Sequence, residues 1–330
     1  MLTPALGTNT YIVGSQNPYT LIDTAEGHPS YISFLSSALQ TTARPLNPSQ
    51  PDVSDIIISH WHQDHMGGIP PVLELLKQLW MNRNPGCHYL PPRVHKYLIS
   101  GGENGSHRHS SRFNTLSNLL ENLSKDLYTP APKGGVFHDL QDGQTFYDPN
   151  GVTLFRVLHT PGHTLDSISL LLPSDKALYT ADTVLGHGTT VFEDFAAYIS
   201  SLKRLLELVS DDSTPSNYTV LYPAHGDVVV NGREKISAYI QHRLDREQEI
   251  LEVLQTPVPP ELLGDTASGR HVHWTVRNIV RMIYKDYPES LWPAACRGVD
   301  LHLLKLQKDG IVSRIAEGAD QWTLLPSSLY

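Results

Sequence analysis

Ser59-His60-Trp61-His62-Gln63-Asp64-His65 decides how this chain is read. It follows Asp55-Ile56-Ile57-Ile58, an apolar β-branched run that reads as a buried strand. Three imidazoles and a carboxylate therefore gather where one strand ends. That donor set suits a borderline divalent ion such as zinc. His60 and His62 are two positions apart, so in extended backbone they point the same way. Asp64 and His65 come after the chain turns and can face a second ion. Met66-Gly67-Gly68 lets the backbone bend before an apolar helix over roughly residues 69–80. Without any chemistry the stretch would be a polar turn with surface histidines. Against that stands the recurrence of the same residue types at later strand ends.

A His-x-His-x-Asp-His motif after an apolar strand resembles the metallo-β-lactamase superfamily. The resemblance implies three further ligands, and the matching positions are His163 in Thr160-Pro161-Gly162-His163-Thr164, Asp182 in Tyr179-Thr180-Ala181-Asp182-Thr183, and His225 in Tyr222-Pro223-Ala224-His225-Gly226. It covers essentially the whole chain. The fold it implies is an α/β, αββα sandwich. The cofactor it implies is a pair of Zn2+ ions, with Mn2+ or Fe2+ as alternatives. His60, His62 and His163 would hold one ion and Asp64, His65 and His225 the other, with Asp182 bridging. Paired ions about 4 Å apart lower the pKa of water to about 7, which makes a nucleophile without a serine or cysteine. Asp64 is the catalytic candidate, orienting that nucleophile and passing its proton to the leaving group.

The chain has 330 residues, which suits one large domain and a smaller one; we divide it at 1–255 and 256–330. At 40% hydrophobic and 18% charged residues it is an ordinary globular sequence. It has no apolar run long enough to span a membrane and no basic-then-apolar N-terminal block. Only two cysteines, Cys87 and Cys296, are present, and neither is at a ligand position. A reducing cytoplasmic setting is therefore expected. A net charge of −9 argues against a broad nucleic-acid surface, though a local basic groove stays compatible.

In chain order, strands are expected over 8–13 and 19–23, a helix over 31–39, and a strand over 87–90. Further strands are expected over 152–159, 167–172, 177–180 and 219–222. Asp23 ends its strand near the metal face, either supporting a ligating imidazole or capping a turn. Residues 100–118 are rich in Gly, Ser and His without apolar period and read as a loop; His107 and His109 there read as loop histidines. His187 matches no ligand and is a pocket candidate. Leu202, Leu205, Leu206 and Val209 mark one buried helix face, and 232–254 reads as a long charged helix. Beyond a Pro/Gly linker, residues 276–283, a helix carrying Leu301, Leu304 and Leu306, and a hairpin from 310–314 and 321–325 resemble a winged helix.

Thr189-Thr190-Val191-Phe192-Glu193-Asp194 and His242-Arg243…Arg246-Glu247 are similar to the branch holding fungal polyketide-cluster thioesterases and β-lactamase-like endoribonucleases. Read as plain helix chemistry, the basic residues are solvated faces with i, i+4 ion pairs. The leading expectation is a thioesterase releasing an aromatic polyketide from an acyl carrier protein, docked through Lys203, Arg204 or Arg233. Alternatives are a single-strand endoribonuclease, a small-thioester hydrolase of the glyoxalase II kind, and a metal-stabilised interaction protein without turnover. The oligomeric state, a homodimer included, stays open.

Overall fold

The computed structural model describes residues 7–99, 120, 122–208, 218–262, 273–316 and 318–326. The stretch 100–118, with His107 and His109, lies outside the described residues, as does Val209.

Two five-stranded sheets face each other. The first runs β1 (Tyr11–Val13), β2 (Tyr19–Ile22), β3 (Val53–Ile58), β4 (Arg93–Lys96) and β5 (Phe137–Asp139). All neighbours are parallel except the β1–β2 hairpin. The second has the order β10 (Val220–Pro223), β9 (Ala177–Ala181), β8 (Ile168–Leu172), β7 (Thr153–His159) and β6 (Thr145–Tyr147). There β10 is parallel to β9 and the other pairs are antiparallel. Strands β7, β9 and β10 thus run the same way, and their C-terminal ends meet at one edge.

The alternation of side chains in β3 sorts the core into layers. Ile57 joins Ile22, Phe155, Val157, Leu170 and Tyr179 between the sheets. Ile56 and Ile58 point the other way, under α1 (Pro29–Gln40) and α3 (Ile69–Arg83), whose Leu35, Leu39, Val72 and Leu76 cover them. A four-residue turn of helix, α2 (Gln63–Met66), carries Asp64 and His65. On the outer face of the second sheet lie α4 (Phe195–Leu206) and α5 (Gly232–Leu254), packed on Leu158, Leu171 and Leu178 through Tyr198, Leu202, Ile236 and Tyr239. Asp194 caps α4 by accepting from the Ala197 amide. This is the αββα sandwich expected above.

The C-terminal part comprises α6 (Val276–Ile283), α7 (Trp292–Lys308) and the antiparallel pair β11 (Val312–Arg314) and β12 (Trp322–Leu324). Its core of Ile279, Val280, Val299, Leu303 and Trp322 also takes in Ile250 and Leu254, the last turns of α5.

One expectation is corrected, and two strands are added. Residues 87–90 are irregular, and the strand is β4, because Pro91 and Pro92 offer no amide to a ladder and pairing with Asp55 begins at Arg93. Leu301, Leu304 and Leu306 lie on α7 as expected, and its packed face is Val299, Leu303 and Leu306. β5 and β6 were not expected; each is three residues long and partly exposed, too short for a period to show.

Candidate metal centre

The site is built at the edge where strands end. β2 delivers Asp23, β3 delivers Ser59 and His60, β7 leads to His163, β9 to Asp182 and β10 to His225. Main-chain bonds lock the two sheets together here: Asn9 N–H to Ala224 O at 2.6 Å and Ile168 N–H to Ser59 O at 3.1 Å.

The structure brings all seven ligand candidates together in two groups. His60, His62, His163 and Asp182 form one, and Asp64, His65 and His225 the other. In the first, His60 Nε2 lies 2.9 Å from His62 Nδ1, while His163 Nε2 is 3.2 Å from His60 Nε2 and 3.0 Å from His62 Nδ1. In the second, His225 Nε2 is 3.2 Å from Asp64 Oδ2, and His65 Nε2 is 3.5 Å from it. Asp182 stands between: Oδ1 is 3.4 Å from His65 and 3.2 Å from His225, while Oδ2 is 3.6 Å from His163. Each oxygen of this one carboxylate therefore faces a different group.

The donor set fits a pair of cations. Three imidazole nitrogens aimed at one another cannot all be satisfied by mutual hydrogen bonds, because each neutral ring has one donor and one acceptor. His65 Nε2 and Asp182 Oδ1 are buried and make no hydrogen bond. Burial, reinforced by neighbouring imidazoles, holds His60 well below the usual histidine range; burial likewise brings His62 down to about 4. Neutral imidazole is the ligating form. In the second group burial acts the same way on His65 but is overcome by Asp182 and Asp23, which raise it well above the ordinary value. Burial is also overcome at His225, raised to about 10 by Asp182 and Asp64. Burial works against the carboxylate of Asp64, yet His225 and His65 bring it to about 2. The carboxylates of Asp64 and Asp182 that face His65 and His225 carry charge that a cation would neutralise.

Supporting contacts set ring orientation. Asp23 accepts from His65 Nδ1 at 2.8 Å, from the Ser59 amide at 2.8 Å and from the Ser59 hydroxyl at 2.7 Å. It also accepts from the Tyr179 hydroxyl. Of the two roles weighed for Asp23, support of an imidazole is the one observed. Asp23 (φ +57°) and Ala181 (φ +46°), beside Asp182, both sit in left-handed backbone. Strain of that kind gathers at functional sites. His163 Nδ1 donates to Val191 O at 2.7 Å. Thr8 Oγ1 donates to Asp64 Oδ2 at 3.2 Å. His187 is exposed and packs its ring against Gly226, next to His225, without joining either group.

Sequence reading missed Ser59, Tyr179, Thr8 and the Val191 carbonyl. Plain helix chemistry would make Arg243 a solvated residue. The residue is instead half-buried and bonds Thr190 O at 2.6 Å, while Glu247 pairs with Lys305 of α7 at 2.6 Å.

Residues 3–225 match the family described as "Metallo-beta-lactamase superfamily", and 275–322 match "Beta-lactamase associated winged helix domain". The chain belongs to the metallo-β-lactamase superfamily, whose members are hydrolases, and carries the associated winged helix. It is similar to "Beta-lactamase-like protein 2 homolog" of Drosophila melanogaster, 32% identical over 96% of this chain and 87% of that one. It is also similar to "Lactamase-like protein aptB" of Emericella nidulans, 32% identical over 92% of this chain and 76% of that one. Among solved structures, a metallo-beta-lactamase family protein from Thermus thermophilus shares the fold. Its TM-score is 0.61 at 18% identity, covering 96% of this chain and 94% of that one.

Proposed function

We propose that the chain is a thioesterase that releases an aromatic polyketide acyl chain from an acyl carrier protein, with a pair of Zn2+ ions held by the two groups above. The observation that carries this reading is a groove of about 930 Å3 that runs from Asp64 along α1. Tyr11, Tyr19, Tyr31, Phe34 and Leu35 line it, with hydroxyls from Thr8 and Thr10. Its described lining includes no lysine or arginine. A mostly apolar pocket of this size with a few polar groups suits a neutral, ring-bearing acyl chain. It offers nothing to a polyanionic backbone, which binds through cations.

Bound zinc would lower the pKa of water and polarise the acyl carbonyl. The chain's own residues do the rest. The groove orients the acyl chain with its carbonyl toward Asp64. The Asp64 carboxylate, ionised at neutral pH and steadied by Thr8, accepts a proton from the attacking water and returns it to the departing sulfur. The C–S bond breaks, a C–O bond forms, and free acid and carrier thiol result.

Of the three cations offered for docking, Arg204 bonds Asp142 and His159 O, and Arg233 bonds Leu206 O. Lys203, exposed on α4, is the remaining one of that set. The test is release of free acid from a loaded carrier protein by wild type and by Asp64→Ala. A drop of about 100-fold or more is expected from loss of the proton carrier. Equal release by both rejects the mechanism.

Cleavage of single-stranded RNA is the second reading, favoured by the winged-helix match over 275–322. It requires salt-sensitive RNA binding. No retention of single-stranded RNA at low salt removes it.

A further inference from the structure

The segment from Leu185 to Asp194 forms an irregular strap beside the candidate metal centre. It starts just past Asp182 and is tied to the turns that carry the other ligands. Gly186 N–H donates to His225 O at 2.8 Å, and the Glu193 and Asp194 amides donate to Gly162 O at 2.7 and 3.1 Å. Between these ties the Val191 carbonyl takes the Nδ1 proton of His163. That bond fixes the tautomer, leaving the Nε2 lone pair to face His60 and His62. Nothing in the strap is regular structure, and Val191 itself is 71% exposed. The strap needs an outside support to hold that carbonyl in place.

The support comes from one face of α5. Tyr239 and Arg243 are four apart, so they stand one above the other. The Tyr239 hydroxyl accepts from the Leu185 amide at 3.1 Å and donates to Gly188 O at 2.8 Å. The Arg243 guanidinium donates to Thr190 O at 2.6 Å and lies 4.9 Å over the Phe192 ring. It therefore clamps the strap on both sides of Val191. The Thr190 hydroxyl, on the residue that Arg243 holds, also lies 3.2 Å from His163 Nδ1.

The geometry points to Arg243 as a positioning residue for the His60–His62–His163 group, acting through Thr190 and Val191 rather than touching any ligand. This inference rests on the metal-centre reading above. Its consequence is selective: loss of the clamp weakens the ion in that group and leaves the ion in the Asp64–His65–His225 group unchanged. Outer partners of ligating histidines are worth about 10–100-fold in metal affinity.

The experiment titrates purified full-length protein with Co2+ and Zn2+ against a competing chelator, resolving the two sites by the cobalt absorption bands. Arg243→Met keeps the stem over Phe192 and removes the donor; Arg243→Lys keeps a donor. For Arg243→Met we expect about 10–100-fold weaker binding at one site with the other within about threefold, and for Arg243→Lys most of the affinity restored. Unchanged affinity in Arg243→Met, equal loss at both sites, or equal loss in Met and Lys variants overturns the proposal. His163→Ala separates the two readings. If it binds both ions as wild type does, the metal-centre reading fails; if it loses one ion while Arg243→Met loses none, only the role of Arg243 fails.

Discussion

At the scale of single residues, Asp23 shows how much one carboxylate can organise. It gathers Ser59, His65 and Tyr179 from separate segments of the chain while fully buried. Asp23→Ala should weaken the ion held with His65 by about 10–100-fold, and the His60 group less, because Asp23 reaches His60 only through the Ser59 hydroxyl, read by chelator competition. Asp55, far along β3, makes a separate prediction. Burial raises its carboxyl, but His95 and Arg93 overcome this and bring it to about 2 from 3.8. A lowered folded-state pKa gives stability that is present above the unfolded value and lost as pH falls through the folded one. Asp55→Asn should therefore cost about 2 kcal/mol at neutral pH, and the gap from wild type should close as pH falls from about 4 to 2, measured by urea unfolding. The seven ligand candidates were legible because the His60–His65 motif resembles a known family and His163, Asp182 and His225 sit at its matching positions just after strands. Tyr179 and Arg243 were not: one acts across 156 positions and the other across 53, and neither neighbourhood has a local signature.

At the scale of elements, two glycines with left-handed backbone separate conformation from space. Gly143 has φ +81° and open surroundings. Gly162 has φ +136°, and a Cβ there would run into the Tyr198 backbone at the start of α4. Gly143→Ala should cost about 1 kcal/mol, the price of the backbone region alone. Gly162→Ala should cost about 3 kcal/mol or more and also impair metal binding, since His163 is its neighbour. Equal melting temperatures for the two variants would contradict this. The helix α3 could be read from its apolar run, α4 from Leu202, Leu205 and Leu206 at helical spacing, α5 from its long charged stretch, and β7 to β9 as strand-length runs between turn residues. β4 could not, since Arg93-Val94-His95-Lys96 is polar in composition yet buried from Val94 onward by its place inside a parallel sheet.

At the scale of the molecule, the sandwich was legible through the order of its motifs, but the fastening of its parts was not. Glu247 of α5 meets Lys305 of α7 at 2.6 Å, and His302 packs on Phe195 with ring centres 4.0 Å apart. Ile250 and Leu254 lie within the core of the C-terminal helices. A shared core of this kind predicts one cooperative thermal transition, and two resolved calorimetric peaks would contradict it. Glu247→Ala should lower stability by about 1 kcal/mol, because the partly exposed Lys305 loses one of two carboxylate partners and keeps Asp309 at 3.0 Å.

One feature of α5 limits how this chain can vary in length. Tyr239 grips the centre's strap while Ile250 seats the C-terminal core, and both lie on one unbroken helix of 23 residues. A helix turns about 100° per residue. A single codon inserted between those two positions would swing everything beyond it a quarter-circle out of phase, however mild the inserted side chain.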